Sequence, residues 1–408
     1  MKRSWITCLL FAPLLFLSAF CTGTESPAVR GYFKNYSLGL HSPAADERET
    51  DFWAVSNRLR LQVSWNVLED VSLYAAYDIS PVVRDADFGI VRSPLGKLDS
   101  NAFRITDMDH VVWPETSQGE SMLVLHNLDR LYATWSADLA DVMVGRQSIA
   151  WGSARIVNPT DVLVPFRFNE LDQEERPGVD AVRVRLPLGA LSEIDAGYVA
   201  GEHLDSRRGA WFVRAKGYAW QTDASLLIMR LRNSFLAGID LTRALGEAGG
   251  WLEAAYVIPD AFGESAGTDD SDYLRVSVGM DRQLTSDTYG FLEYHFSTAG
   301  KTDAEAYEHV VDSAAFNEGS VYLLGRHYLG LGLTHQITPL ITLTANVLTN
   351  LGDRSLTIAP ALEYNIAPDV YVSVGASVGV GPGPERDGLG SEFGTYPDYA
   401  FSAIRVYF

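Results

Sequence analysis

The sequence is poor in cysteine, in long apolar runs and in positive charge. Its only cysteines among 408 residues are Cys8 and Cys21, both near the N-terminus, so no disulfide framework is expected. Beyond residue 25, no run of about eighteen apolar residues occurs, which excludes a membrane-spanning helix there. The 52 acidic residues outnumber the 32 basic ones. This balance argues against a nucleic acid partner, because phosphate binding needs a basic face.

Residues 1–21 have the pattern of a cleaved export signal. Two basic residues precede an apolar run (6–20) that is short and interrupted by proline, and small residues follow it. Cleavage after Cys21, or two residues later, would leave a mature chain without thiols, which suits folding in an oxidising compartment. The alternative is a lipidated Cys21, although Phe20 stands where a lipoprotein signal prefers a small residue. We therefore predict a signal peptide (1–21) and one further unit (22–408).

The rest of the chain shows hydrophobic residues with a period of two. In 370–380, Val and Ala alternate with Tyr, Ser and Gly, and similar alternation occurs in 58–65 and 274–280. Such alternation predicts β-strands with one apolar and one polar face. The segments are about 9 to 15 residues long, the length of a tilted strand that crosses a bilayer, whereas strands in soluble sheets average about 5 or 6.

Short and long connections alternate along the chain, as they do between the strands of a transmembrane barrel. We therefore predict an all-β fold, a single antiparallel transmembrane β-barrel of about 18 strands, with 16 as the alternative. An even number of strands would return both termini to one side of the membrane. The predicted strands are 30–40, 52–67, 70–83, 122–136, 140–151, 179–188, 192–202, 209–221, 223–233, 236–243, 250–258, 270–284, 287–299, 321–337, 340–350, 354–366, 368–381 and 400–408.

If the apolar face of each strand contacts lipid, many basic residues point into the lumen. The residues predicted to line the pore are Arg58, Arg60, Arg146, Arg155, Arg183, Arg185, Arg214, Lys216, Arg230, Arg232, Arg275 and Arg405. The acidic residues with the same inward parity are Asp78, Asp195, Asp240, Glu253, Glu293 and Glu363. The basic residues between 183 and 232 lie on neighbouring strands with only Asp195 among them, so they predict a preference for anions. The alternative is that these arginines form ion pairs that stiffen the wall.

The alternation breaks in residues 145–155, which contain two glycines, one tryptophan and two arginines. A β-bulge near Gly145 would account for the break. The connection that follows (152–178) contains Asn-Pro (158–159), Asp161 and further prolines. We predict that it folds back into the lumen and narrows the pore; an ordinary surface loop is the alternative.

Two motifs in this chain resemble those of a family. Gly-Arg-Gln (145–147), ending in Trp-Gly (151–152) and followed by Asn-Pro and Asp, resembles porin-like outer-membrane barrels of Gram-negative bacteria, which include alginate-export-type proteins. Gly-Tyr-Phe-Lys-Asn (31–35) on the first strand is similar to the same family. The resemblance implies a monomeric barrel with an arginine-rich pore that passes an anionic solute or polymer. It would make Arg146, Gln147 and Arg155 the matching motif residues.

These patterns lead to one main functional hypothesis and two alternatives. The main one is an outer-membrane channel for small, anionic solutes or an anionic polymer, without a cofactor or metal site. The alternatives are a barrel that sheathes a partner such as an electron-transfer protein, and a hydrolase assembled across strands near His295 and Glu293. The expected partners are outer-membrane lipid and lipopolysaccharide, and the barrel assembly machinery, which would recognise the C-terminal strand ending in Phe408.

Overall fold

The computed structural model describes residues 26–43, 51–85, 103–106, 111–113, 120–263, 271–384 and 389–408. The predicted signal peptide lies outside the described residues. None of the helices within these ranges has the length and apolar character needed to span a membrane.

Eighteen antiparallel strands form a closed barrel. Each strand pairs with its neighbours in sequence, and the last strand pairs with the first, so the barrel has no free edge. An additional three-residue strand, Val111–Trp113, pairs with the fourth barrel strand. The strands are β1 (Ala28–His41), β2 (Asp51–Asn66), β3 (Val71–Asp85), β4 (Glu120–Ser136), β5 (Asp141–Gln147), β6 (Val179–Pro187), β7 (Glu193–Val199), β8 (Ala210–Ala219), β9 (Thr222–Leu231), β10 (Ser234–Leu245), β11 (Ala248–Ile258), β12 (Tyr273–Thr285), β13 (Thr288–Ser297), β14 (His327–Thr338), β15 (Ile341–Asn350), β16 (Leu356–Ala367), β17 (Val370–Val380) and β18 (Asp398–Tyr407). The prediction of eighteen strands is confirmed.

Side chains alternate between an apolar outer face and the barrel interior, because successive residues of a strand point to opposite sides. Leu226 and Ile228 on β9 are 59% and 58% exposed, whereas Leu227 between them is 3% exposed. The outer face also carries Trp135 and Trp220 at the strand ends that bear the short turns. An apolar outer band with aromatic residues at its border matches the hydrocarbon region of a bilayer. The chain is therefore a transmembrane barrel of the outer-membrane type.

The connections differ between the two ends of the barrel. At the end that holds both termini, which we call the turn side, neighbouring strands are joined by short turns such as 220–221 and 246–247. Trp220 and Gln221 have φ angles of 50° and 61°, the left-handed values of a tight hairpin turn. The opposite end, the loop side, carries long connections such as 148–178 and 298–326. The predicted asymmetry of the connections is confirmed.

The interior is filled mainly by the connection between β5 and β6 (148–178), which we call the inserted loop. Its buried residues, including Ile149, Trp151 and Val162, pack against inward side chains such as Phe212 and Met229. The connection 298–326, with the short helices α1 (Tyr307–Val311) and α2 (Ala314–Asn317), joins the same core. The hydrophobic core of this protein thus lies inside the barrel, and the prediction that the loop folds back into the lumen is confirmed.

The two largest differences from the predicted strand boundaries are in β5 and β14, and the predicted bulge is in another place. β5 ends at Gln147 rather than at residue 151, because the chain turns into the lumen there. β14 begins at His327 rather than at residue 321, because the consecutive residues 321–325 are all buried beneath the loop-side connections. The register of β5 runs without a shift through Gly145. A shift occurs instead where β3 pairs with β4, between Ala76 and Tyr77.

Candidate functional site

Near the end of β5, just before the inserted loop, stands a glycine that another residue could replace only with strain. Gly145 has a φ of 121°, and a Cβ atom there would lie 2.2 Å from the carbonyl oxygen of Leu131. Arg146 then lies on the outward parity, directly opposite Leu131, and its Nε donates to Asp180 Oδ1 at 2.8 Å. Gln147 points inward and is buried. The Gly-Arg-Gln motif thus shapes the point where the chain leaves the wall.

The Trp-Gly pair that follows turns the chain across the lumen. The Trp151 ring packs edge-on against Phe212 with a centroid distance of 4.8 Å, and its Nε1 donates to Asp195 Oδ2 at 3.4 Å. Gly152 has a φ of 101°, and a Cβ atom at this position would be 2.6 Å from both carboxylate oxygens of Glu253. A glycine is required here because the loop backbone passes directly over that carboxylate.

Glu253, near the middle of β11, holds the first half of the inserted loop. Its side chain is fully buried and accepts five hydrogen bonds from the loop. The backbone N–H groups of Ser153, Ala154 and Thr160 donate at 3.1, 3.1 and 2.8 Å. Asn158 Nδ2 and Thr160 Oγ1 donate at 3.1 and 2.7 Å. The Asn-Pro-Thr part of the motif therefore forms a socket for one inward carboxylate.

Glu293 on β13 holds the next three residues in the same way. It accepts the backbone N–H groups of Arg155 (2.6 Å), Ile156 (3.1 Å) and Val157 (3.1 Å). The indole Nε1 of Trp251 donates to the same carboxylate at 3.0 Å. Because backbone amides rather than cations satisfy Glu253 and Glu293, these buried carboxylates fix the path of the loop.

The far end of the inserted loop is held by ion pairs with β1 and β2. Lys34 Nζ lies 2.8 Å from Asp172 Oδ1 and 2.6 Å from Glu174 Oε2, and its side chain is fully buried. Arg58 Nη1 lies 3.1 Å from the other oxygen of Asp172. Glu174 also accepts the hydroxyl of Tyr407 at 2.7 Å. The loop is thus anchored to opposite parts of the wall.

Most of the basic residues predicted to line the pore point inward, but many are already paired. Arg183 makes a two-pronged contact with Asp195, at 2.8 and 2.6 Å. Arg214 lies 3.5 Å from Glu193, and Arg405 pairs with Glu363. Arg60 pairs with Asp78 and Asp129, Arg155 pairs with Asp281 at 2.9 Å, and Arg275 donates to the carbonyl of Ser320.

Three of the predicted residues do not line the wall from inside. Arg230 has the parity of the exposed Leu226 and Ile228, pairs in register with the outward Trp211, and lies 5.1 Å from the ring of Phe262. The prediction placed Arg230 inward because it assumed that only one face of β9 is apolar and that this face contacts lipid. Both faces of β9 are apolar, and Arg230 lies on the outward one. Arg146, as described above, also has the outward parity. Arg232 lies in the two-residue connection after β9, 3.2 Å from Glu318.

The basic strip on β6 to β9 is therefore compensated more fully than the sequence suggested. Glu193 and Asp195 on β7 lie opposite Lys216 and Arg214 in register, and Arg185 lies opposite Asp195. Among the basic residues predicted to line the pore, the side chain of Arg155 is 50% exposed, Lys216 is exposed, and the side chain of Arg58 is 36% exposed.

The histidine considered for hydrolysis is enclosed. His295 Nδ1 is 2.8 Å from Ser277 Oγ, and that hydroxyl also lies 2.6 Å from the carbonyl of Val157, to which it donates. Both side chains are buried, and Glu293 is occupied by the loop. Within the described ranges of the chain, no cluster of three or more His, Cys, Asp or Glu side chains forms a metal site.

Sequence reasoning missed two features of the interior. It placed Glu253 and Glu293 inward but assigned them no role, although the Trp-Gly and Asn-Pro-Thr motif is built around the first of them. It also missed a buried polar network around Glu392 on the loop side. Glu392 accepts the N–H of Leu324 and Nδ2 of Asn350, both at 2.9 Å, and the hydroxyl of Tyr328. No motif in the sequence marks this network.

Comparison with known proteins identifies the fold. No protein-family model matches the chain, and no curated protein matches it. The crystal structure of Acinetobacter baumannii OccAB1 has a TM-score of 0.58 at 11% identity, covering 96% of this chain and 99% of that chain. A BenF-like porin from Pseudomonas fluorescens Pf-5 has a TM-score of 0.56 at 11% identity, with coverages of 94% and 98%. Pseudomonas aeruginosa OpdK, solved with vanillate, has a TM-score of 0.54 at 11% identity, with coverages of 93% and 98%. At these identities the likeness shows the fold alone, and that fold is the porin barrel.

Proposed function

We propose that this protein is a porin-like channel of the outer membrane that passes small solutes and prefers anions. The observation that carries the proposal is a closed barrel with an apolar outer face, whose lumen is narrowed by a loop anchored to inward carboxylates. A loop of this kind turns a wide barrel into a selective constriction.

The accessibility of the charged groups supports the preference for anions. The carboxylates of Asp195, Glu253 and Glu293 are buried and occupied by arginine, indole or backbone donors. In contrast, the side chain of Arg155 is 50% exposed although it pairs with Asp281 at 2.9 Å, and Lys216 on the inward parity of β8 is exposed. Cations that face a narrow lumen attract small anions. One of the structural neighbours was solved with vanillate, which is an organic anion.

The other hypotheses receive less support. A sheath for a threaded partner needs a wide lumen, and the inserted loop contacts both β1 and β13 across it. Passage of a polymer such as alginate also needs a wide lumen, so the inserted loop argues against it as well. A hydrolase needs an accessible nucleophile, and Ser277 is fully buried beside His295.

The test is the reversal potential of the refolded chain in a planar bilayer under a salt gradient. We expect steady conductance with anion preference, and a smaller preference in the variants Arg155→Ala and Lys216→Ala. The matched control is Arg243→Ala, which removes the same charge from the outward parity of β10. A folded barrel that does not conduct would overturn the channel function. Cation preference in the parent chain would overturn the anion selectivity.

We also propose that the barrel assembly machinery recognises the C-terminal strand. β18 pairs with β1 along its whole length, and Phe408 exchanges backbone hydrogen bonds with Gly31 at 2.8 and 2.9 Å. The Phe408 side chain is 62% exposed, so the aromatic ring is available to a partner. Deleting Phe408 should reduce insertion of the chain in cells more than it reduces refolding in detergent. Equal losses in the two settings would contradict recognition by a cellular partner.

A further inference from the structure

At the middle of five strands, the inserted loop covers the inward side chains. Lys34 on β1, Arg60 on β2, Asp195 on β7, Glu253 on β11 and Glu293 on β13 are each at most 1% exposed. Each of them contacts the loop or a side chain that does. Solvent is thus excluded from these parts of the wall at mid-height.

The wall formed by β15 to β17 is different at the same height. Asn346, near the middle of β15 on the inward parity, is exposed, and Thr344, Ala361 and Ser373 are partly exposed. They lie together on the wall, because Thr344 is opposite Ala361, and Ala361 is opposite Gly375 in register. None of these side chains is charged. The space between the inserted loop and this wall is therefore open to water.

Towards the loop side, the same wall is closed again. The inward residues Leu348, Asn350, Thr357 and Ser377 are at most 7% exposed. They lie beneath residues 391–396, which we call the cap segment. Its central residue, Phe393, is fully buried and shares a core with Leu348.

The cap segment is fitted to the strand ends by backbone contacts. Phe393 N–H donates to Ser355 Oγ at 3.1 Å, and Glu392 N–H donates to Asp353 Oδ2 at 2.7 Å. A Cβ atom at Gly379 on β17 would lie 2.1 Å from the carbonyl oxygen of Phe393. Glycine at this position allows the cap to rest directly on the wall.

The cap segment also contacts the inserted loop through aromatic rings. Phe168 of the loop lies 5.7 Å from Phe393 in an edge-on arrangement and is stacked on Tyr396 at 5.8 Å. The open space beside β15 to β17 is thus bounded by the wall on one side and the inserted loop on the other, and the cap segment closes it at one end.

We propose that solutes pass the inserted loop along the inward face of β15 to β17, beside Asn346, and that the cap segment is the gate of this path on the loop side. The proposal rests on the proposed channel function and adds where the solute travels and what closes the way. It places the path along a wall whose side chains at mid-height are uncharged, while Glu363, nearer the turn side on β16, is inward and paired with Arg405. Size and hydrogen bonding would then select solutes at the gate.

Thiol labelling tests the path, because the chain has no cysteine besides Cys8 and Cys21. In a full chain carrying Cys8→Ser and Cys21→Ser, we compare Asn346→Cys with Ser225→Cys. Ser225 is the matched control, since it points inward near the middle of β9 and is 6% exposed. A water-soluble methanethiosulfonate reagent should modify Asn346→Cys at least about tenfold faster, since burial protects a thiol. Modification should also reduce the conductance of the folded barrel.

Equal labelling rates, or labelling at position 346 that leaves the conductance unchanged, would overturn the path. The labelling rate is measured by mass spectrometry in detergent micelles and does not depend on conductance. A parent chain that does not conduct would therefore defeat the channel function, while the contrast in labelling would still decide whether water reaches the wall beside Asn346.

The gate is tested by adding the reagent to the loop side of the barrel in a bilayer. Phe393→Ala in the Asn346→Cys chain should raise the labelling rate from that side, because it removes the ring between the wall and Phe168. Phe262→Ala is the control, since Phe262 is a half-exposed loop-side residue outside the cap segment. Circular dichroism verifies that both variants are folded. A folded Phe393→Ala variant with an unchanged loop-side rate would overturn the gate.

Discussion

Glu253→Gln should release the first half of the inserted loop. In the parent chain, Oε1 of Glu253 accepts two hydrogen bonds from Thr160, and Oε2 accepts three, from Ser153, Ala154 and Asn158. An amide keeps one oxygen as an acceptor but replaces the other with an N–H donor. Whichever way the amide is turned, at least two loop donors lose their acceptor and face another donor.

The magnitude follows from the number of lost hydrogen bonds. A buried donor left without an acceptor costs about 1–3 kcal/mol, so the inserted conformation of the loop should be weakened by roughly 2–6 kcal/mol. The eighteen-stranded wall keeps its own hydrogen bonds, so the loss should fall on the position of the loop rather than on the barrel. A displaced loop widens the lumen, and single-channel conductance should rise.

The assay combines single-channel recording with limited proteolysis of the folded barrel. Glu247→Gln is the control, because Glu247 lies in a turn and its side chain is 82% exposed in a surface pair with Arg282. We expect the Glu253→Gln variant to show larger or more variable conductance and faster cleavage within 148–178. If conductance and cleavage both match those of the control, the carboxylate does not hold the loop, and the reasoning from its five hydrogen bonds is refuted.

Three further predictions concern the anchors of the loops. Gly152→Ala should lower the unfolding midpoint in detergent by an amount equivalent to about 1–3 kcal/mol, because alanine is strained at this φ and its Cβ would meet the Glu253 carboxylate; an unchanged midpoint would contradict this. Asp172→Asn should weaken the contact with Lys34 and lower the free energy of unfolding in detergent by about 1–3 kcal/mol. A loss no greater than that caused by the same change at an exposed carboxylate would be evidence against the anchor. Burial raises the pKa of Glu392 from 4.5 to about 7, so the closed cap is most stable below pH 4.5 and loses this stability as pH rises to about 7. Conductance should therefore increase across that range, and a decrease would contradict the assignment.

The direction of the pH effect depends on the surroundings of Glu392. Among the contacts of the described residues, none brings a lysine or arginine to its carboxyl group. The nearest charge is the carboxylate of Asp353, and the other titratable groups are the hydroxyls of Tyr328 and Tyr307. Burial and a like charge both favour the protonated form. The sign of the pH dependence thus follows from the absence of a cation in this network.

The strands could be predicted from the sequence because their signals are local. Each strand alternates in hydrophobicity along its own length, and each tight turn follows from a few residues, as at Trp220 and Gln221. The lipid outside the barrel is uniform, so the outward parity is apolar in strand after strand. The predicted boundaries were wrong at 148–151, where the chain turns away from the wall into the lumen, and at 321–326, where residues 321–325 are all buried.

The interior could not be predicted in the same way, because it depends on residues far apart in the sequence. On β9, Leu227 and Met229 point inward and are buried beneath the inserted loop, while Leu226 and Ile228 point outward to lipid. Both faces are apolar for different reasons, so the alternation carries no information about which side Arg230 occupies. A rule that assigns every apolar face to lipid fails wherever a loop supplies a second apolar surface.

This dependence on residues far apart in the sequence explains why the Trp-Gly and Asn-Pro-Thr motif was visible in the sequence while its role was not. Gly152, Asn158 and Thr160 are conspicuous residue types at a fixed spacing, but the carboxylate they surround lies about a hundred residues later, on β11. A buried carboxylate without a cation is costly unless several donors converge on it, so the motif and Glu253 are only intelligible together. The effects of changing the loop and the wall should therefore be coupled. The double variant Glu253→Ala, Gly152→Ala should lose less unfolding free energy than the sum of the two single variants, because removing the carboxylate makes room for the new Cβ atom. Strict additivity of the two unfolding free energies would show that the loop does not rest on this carboxylate.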